Sequence, residues 1–183
     1  MIRYNINRVL QYIGLARPNA ATVVRGSSEY PDIYGIVEFY QYRVGVYVLC
    51  VVGGLPVQSG DCGGQFFGFH IHDGDSCTSD AADPFANAGS HYNPRNCSHP
   101  QHAGDLPPLL GSNRGDAVSL FYTDRFTVEE IIGKPVVIHQ SVDDFTSQPS
   151  GNSGTKIACG IITRERADEG YPMPLEDVEP VQR

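Results

Sequence analysis

The six histidines of this chain are His70, His72, His91, His99, His102 and His139, and all fall in or beside two long stretches that lack a repeating pattern. Histidines scattered for ordinary reasons would also appear in the N-terminal third or the tail, and none does. His70 and His72 stand at i and i+2 in Gly68-Phe69-His70-Ile71-His72. That spacing suits a strand, because alternate side chains leave the same face of a sheet. A lone His-x-His is more often a core or surface pair than a site. Gathered with four further imidazoles, it becomes the start of a pocket for copper or zinc on a stiff β-element.

Elsewhere the period is mostly two. Ala21–Arg25, Tyr34–Gln41, Ala117–Tyr122, Pro135–His139 and Lys156–Thr163 read as strands, with Gln65–His72 as the strand that carries the first histidines. Val44–Val52 is apolar at nearly every position and reads as a strand buried on both faces or lying at an interface. Thr127–Ile132 reads as a turn or short helix. Asp73–Leu110 and Gln140–Thr155 have little periodicity and are rich in turn residues, and loops of such length inside one domain tend to be functional. Twenty glycines, thirteen prolines and no tryptophan agree with short strands joined by turns. Composition and pattern together give an all-β sandwich or barrel.

The formal charge of −8, with no basic cluster, argues against nucleic acid or an anionic membrane as a partner. No apolar run is long enough to span a bilayer. Residues 1–20 read as an N-terminal extension with a short helix, because Ile6, Val9, Leu10 and Ile13 have helical spacing before Arg17-Pro18. Residues 21–163 read as one domain, and 164–183 as a polar, acidic, mobile tail. Asn5, Asn7, Arg8 and Gln11 interrupt any secretory apolar core, which points to a cytoplasmic protein. Five cysteines leave at least one without a partner inside the chain. Cys50, within an apolar strand, reads as a small buried hydrophobe.

Several motifs occur in one order: Gly68-Phe69-His70-Ile71-His72, Gly89-Ser90-His91-Tyr92-Asn93-Pro94, His102-Ala103-Gly104-Asp105-Leu106-Pro107, Val137-Ile138-His139, and Gln148-Pro149-Ser150-Gly151-Asn152-Ser153-Gly154 followed by Ile157-Ala158-Cys159-Gly160. Together, from about Ala21 to Ile162, they resemble the copper/zinc superoxide dismutase family. The resemblance implies an eight-stranded Greek-key β-barrel, an immunoglobulin-like sandwich with two long functional loops. It implies dismutation of superoxide to oxygen and hydrogen peroxide. By position, His70, His72, His91 and His139 would bind copper, and His91, His99, His102 and Asp105 would bind zinc, His91 bridging the two. Asp143 would link a copper histidine, His70, to a zinc histidine, His99, from outside the ligand set. Cys77 and Cys159 would form the family disulfide, worth ~3 kcal/mol or more to a long irregular loop. The family is often dimeric, which leaves a homodimer open without showing a surface for it.

Three departures from the family pattern matter. Lys156 stands where the family usually places an arginine that attracts the anion, and lysine keeps the charge without the planar fork. A working enzyme slower than its arginine-bearing relatives is the expectation, with His91 and Lys156 as its catalytic residues. Only two residues separate His99 from His102, a tight zinc loop. A disulfide is uncommon in the reducing compartment that the N-terminus suggests. Cys62 and Cys97 both lie near the metal region, where a second bridge and two free thiols are equally open. The competing reading is a copper- and zinc-binding or storage domain on the same fold with little or no turnover.

Overall fold

The computed structural model describes residues 17–57, 64–79 and 83–165. The expected N-terminal helix and nearly all of the expected tail lie outside these residues, as does Cys62.

Strands β1 (Ala20–Gly26), β2 (Tyr34–Tyr42) and β3 (Gly45–Gly53) form an antiparallel meander. Next come β4 (Gln65–Phe67), β5 (Phe69–Ile71), β6 (Leu109–Gly111) and β7 (Ala117–Thr123). A short helix, α1 (Val128–Ile131), precedes β8 (Pro135–His139), β9 (Lys156–Ile161) and β10 (Thr163–Arg164). The main sheet runs β5-β8-β9-β1-β2-β3-β7, with β10 also on β1. A separate pair, β4-β6, lies between β7 and β5, with β6 packed beside β7. The antiparallel sheet curls into the barrel that the family resemblance implied. Two of its eight strand paths are interrupted, at Gly68 and at Ile162, which yields ten segments.

Alternation decides what is inside. Val24, Val37, Phe39, Val48, Phe67, Phe69, Ile71, Val136, Ile138 and Ile157 belong to one continuous buried cluster. Burying each of these side chains contributes roughly 1.5–3 kcal/mol. β3 departs from the first of the two sequence expectations, burial on both faces. Its inner residues Val46, Val48, Cys50 and Val52 are buried, but Val51 on the outer side is 37% exposed. Outside, Leu49 is buried and packs with Tyr40, Tyr47 and Leu120. The Cys50 thiol is pushed up to about 12 by burial, so it stays protonated and inert.

The histidine-bearing strand also differs from one continuous run. It breaks at Gly68 into β4 and β5, which pair with different partners, β6 and β8. A Cβ at Gly68 would come within 2.9 Å of the Ser153 Cβ and 3.1 Å of the His139 Cβ. Only glycine lets this backbone pass so close to the end of β8. The long first loop is likewise less irregular than its sequence suggests, holding a 3-10 turn at Ala86–Ala88 and ending in β6. Thr127 starts α1, its backbone N–H donating to the Glu130 carboxylate at 2.7 Å.

Candidate metal centre

β5 and β8 are neighbours in the sheet, and the register shifts by a bulge between Ile138 and His139, which re-aims the last residue of β8. Against β5 lies the first loop. Ile71 N–H donates to the Gly104 carbonyl at 2.9 Å, Tyr92 N–H to the Ile71 carbonyl at 2.8 Å, and Gly104 N–H to the Tyr92 carbonyl at 2.8 Å. Isolated bridges pair His72 with His91 and His70 with Asp105. A segment with no period of its own is thus ordered by hydrogen bonds to a strand.

Two groups of donors result. One is His70, His72, His91 and His139; the other is His91, His99, His102 and Asp105. Within each, the four ligand atoms lie within 4.8 Å of one another, and every residue is buried. His91 belongs to both.

Hydrogen bonds fix which nitrogen each ring presents. His72 Nδ1 lies 2.9 Å from the Gly89 carbonyl and His139 Nδ1 lies 3.1 Å from the Gly154 carbonyl, so both donate there. Their Nε2 lone pairs then face each other at 3.2 Å, an arrangement that favours a cation between them. His70 Nε2 donates to Asp143 at 2.7 Å and His99 Nε2 to the same carboxylate at 2.8 Å. Among the described residues, that leaves Nδ1 of His70 and Nε2 of His91 buried without hydrogen-bond partners, and Nδ1 of His99 and His102 without one of good geometry although Asp105 oxygens lie 3.1 and 3.3 Å away. Buried polar atoms are rarely left so. Ring nitrogens bare on one side and anchored on the other are what a metal requires. The donor set fits metal binding.

Burial pushes the pKa of His70 down to about 4 and of His139 to about 3, and holds His72 well below its ordinary value. At neutral pH these rings are therefore the neutral, ligating form. For Asp143 burial alone would raise the pKa. Hydrogen bonds from His70, the Phe145 N–H and His99 outweigh it and hold the carboxyl well below the usual range. Asp105 behaves alike: burial opposes ionisation, and the His91 hydrogen bond and nearby imidazoles prevail.

A family model described as copper/zinc superoxide dismutase matches residues 33–162. The chain belongs to the copper/zinc superoxide dismutase family. Cu-Zn superoxide dismutase 2 of Aquifex aeolicus is 30% identical over 145 residues, covering 72% of this chain and 80% of that protein. The copper chaperone for superoxide dismutase of Rattus norvegicus is 30% identical over 157 residues, 79% of this chain and 53% of the chaperone. The chain thus spans about half the length of that relative. Among solved structures, the clock protein EA4 superposes with a TM-score of 0.67 at 26% identity, covering 83% of this chain and 98% of that one.

Within this superoxide dismutase fold, Cys77 and Cys159 form a disulfide that ties the first loop to β9. Cys97, the described member of the other pair considered, is half-buried with Sγ 4.0 Å from the Arg95 carbonyl. Lys156 lies opposite His139 across β8 and β9, and its ammonium is bonded to the Asp83 carboxylate.

Sequence reasoning missed three contributors. Asp83 is one, because nothing in its neighbourhood signals a partner in β9. Arg125, after β7, is another: its guanidinium donates to the carbonyls of Pro100 (3.0 Å), His102 (3.2 Å) and Asp105 (3.3 Å), clamping the tight His-x-x-His turn. The third is Gly151, at φ +66°, where a Cβ would lie 2.0 Å from Asp143 Oδ1 and 2.7 Å from His99 Nε2. The repeated glycines of its motif were the available signal.

Proposed function

We propose that this domain disproportionates superoxide, two superoxide anions and two protons giving one oxygen and one hydrogen peroxide. The observation that carries the reading is His91, a ring shared by two buried donor groups of different chemistry. The all-imidazole group suits copper, and the group of three imidazoles and one carboxylate suits a closed tetrahedral zinc site. Bound copper would supply the one-electron couple that superoxide oxidation and reduction both need.

The remaining work falls to the chain. Gly89 and Gly154 carbonyls orient His72 and His139, and Asp143 orients His70 and His99 together. His91 Nε2 has no hydrogen-bond partner among the described residues, so it can take a proton and pass it to the reduced product, while Nδ1 stays on the Asp105 side. Lys156 draws the anionic substrate toward His139 against the negative net charge of the whole molecule.

One observation favours a second reading. The Lys156 charge is already engaged by Asp83, which suits a domain that holds copper and zinc with little turnover, and one relative is a copper chaperone. Metal content by mass spectrometry and superoxide consumption, measured on one sample, decide between them. Copper and zinc in near-equal amounts with fast consumption are expected; a full copper complement without turnover would refute the enzyme.

A further inference from the structure

Near the copper-type group, two charges stand side by side. Lys156 begins β9 opposite His139, and Asp83 reaches it from the first loop, seventy-three residues away in sequence. The lysine side chain is 15% exposed and the aspartate 38%, so the carboxylate lies on the more open side of the pair. A second hydrogen bond, from the Phe85 N–H at 3.0 Å to the other Asp83 oxygen, holds the carboxylate in place. Burial is the largest influence and disfavours its charge, yet the hydrogen bonds from Lys156 and the Phe85 N–H and the nearby Lys156 charge together outweigh it and hold the carboxyl below its usual value. Both charges act on the His139 ring, with opposite sign.

We propose that Asp83 sets how strongly this pocket attracts anions, by pairing with Lys156 and cancelling its charge beside His139. This rests on the reading of His70, His72, His91 and His139 as the copper group and goes one step further, to a residue that governs substrate capture. The physics is short-ranged. A cation next to a focused pocket raises the local concentration of an anion, and a carboxylate in contact with that cation reduces the field to a dipole's. The hydrogen bonds of the Asp83 carboxylate go to Lys156 and the Phe85 N–H and not to a ligand ring, so it is a specificity-determining residue acting through Lys156.

The test uses the metal-loaded full chain as wild type, Asp83→Asn, Lys156→Gln and the double variant. Asparagine keeps the oxygen that accepts from Phe85, so the loop retains its anchor. Azide affinity is read from the copper absorption spectrum, and superoxide consumption is followed against ionic strength; thermal melting checks that each variant is folded. Asp83→Asn is expected to tighten azide binding and speed consumption about threefold to tenfold, with a steeper fall in salt. In the Lys156→Gln background the same change should act more weakly, through the direct loss of the Asp83 charge near His139 alone, because there is no ammonium to release. Azide affinity and salt dependence that stay at wild-type values in a folded Asp83→Asn protein would overturn the proposal, and so would an equal effect with and without Lys156. Consumption absent from every variant while azide affinity still responds would refute the dismutase reading and leave this inference standing.

Discussion

The carboxylate of Asp143 reaches imidazoles from two different donor groups, His70 at 2.7 Å and His99 at 2.8 Å, and accepts the Phe145 N–H as well at 2.7 Å. Each bond makes Nε2 the donor and leaves Nδ1 as the nitrogen that carries the lone pair. Asp143→Asn removes the charge and lets an amide N–H face one ring, so one of the two tautomers is lost. Metal affinity is expected to fall about 10–100-fold, measured by competition with a chelator for zinc and copper separately. Unchanged affinity for both metals would show that the rings are held by packing alone. At this scale the sequence was informative because His70, His72, His91, His99, His102, Asp105 and His139, which the fold gathers into two donor groups, and Asp143 beside them, all stand at motif positions or next to them. It was silent on Asp83 and Arg125, whose partners are brought near only by folding.

Loops carry most of the ligands, so the elements that hold them decide whether the groups form. The Cys77–Cys159 bond closes a span of 82 residues between the first loop and β9. Its half-cystines pack with Phe85, Ala88 and Val137. Removing it with Cys77→Ala and Cys159→Ala should cost about 3–5 kcal/mol, read as a lower denaturation midpoint of the metal-free protein. A loss below about 1 kcal/mol would mean that the loop is ordered by its backbone bonds to β5 without the bridge. Arg125 acts on the other end of the same loop. Arg125→Gln is expected to weaken zinc binding more than copper binding, since only the carbonyls of Pro100, His102 and Asp105 lose their donor. Calorimetric titration of each metal would show it, and equal losses at both groups would contradict it. The break at Gly68 belongs to this scale too. From the sequence β4 and β5 read as one strand because alternation continues through a glycine, and only the approach of Ser153 and His139 shows why the strand must be interrupted there.

For the whole molecule, a barrel that buries His70, His72 and His139 stakes part of its stability on keeping these three rings neutral. An unfolded histidine titrates near 6.5, whereas burial pushes folded His70 down to about 4 and His139 to about 3. Between these values the unfolded chain binds more protons than the folded one, so stability falls as pH falls. The metal-free protein should therefore be most stable above about 6.5, and lose stability down to about 4 and below, where the Asp143 carboxylate adds its own loss in the same direction. Chemical denaturation of metal-free protein at several pH values checks this; a flat profile from 7 to 4 would oppose it.

The sequence by itself determined the all-β class, the approximate strands and the identity of nearly every donor, because period-two alternation and ordered motifs are local properties of a chain. It also carried the Cys77–Cys159 pairing, through resemblance. Only the tertiary structure decided which nitrogen each ring presents, where the barrel strands break, and that Lys156 meets Asp83 and Arg125 meets the Pro100–Asp105 turn. Those are contacts between residues far apart in sequence, and no local pattern encodes the distance at which two side chains finally stand.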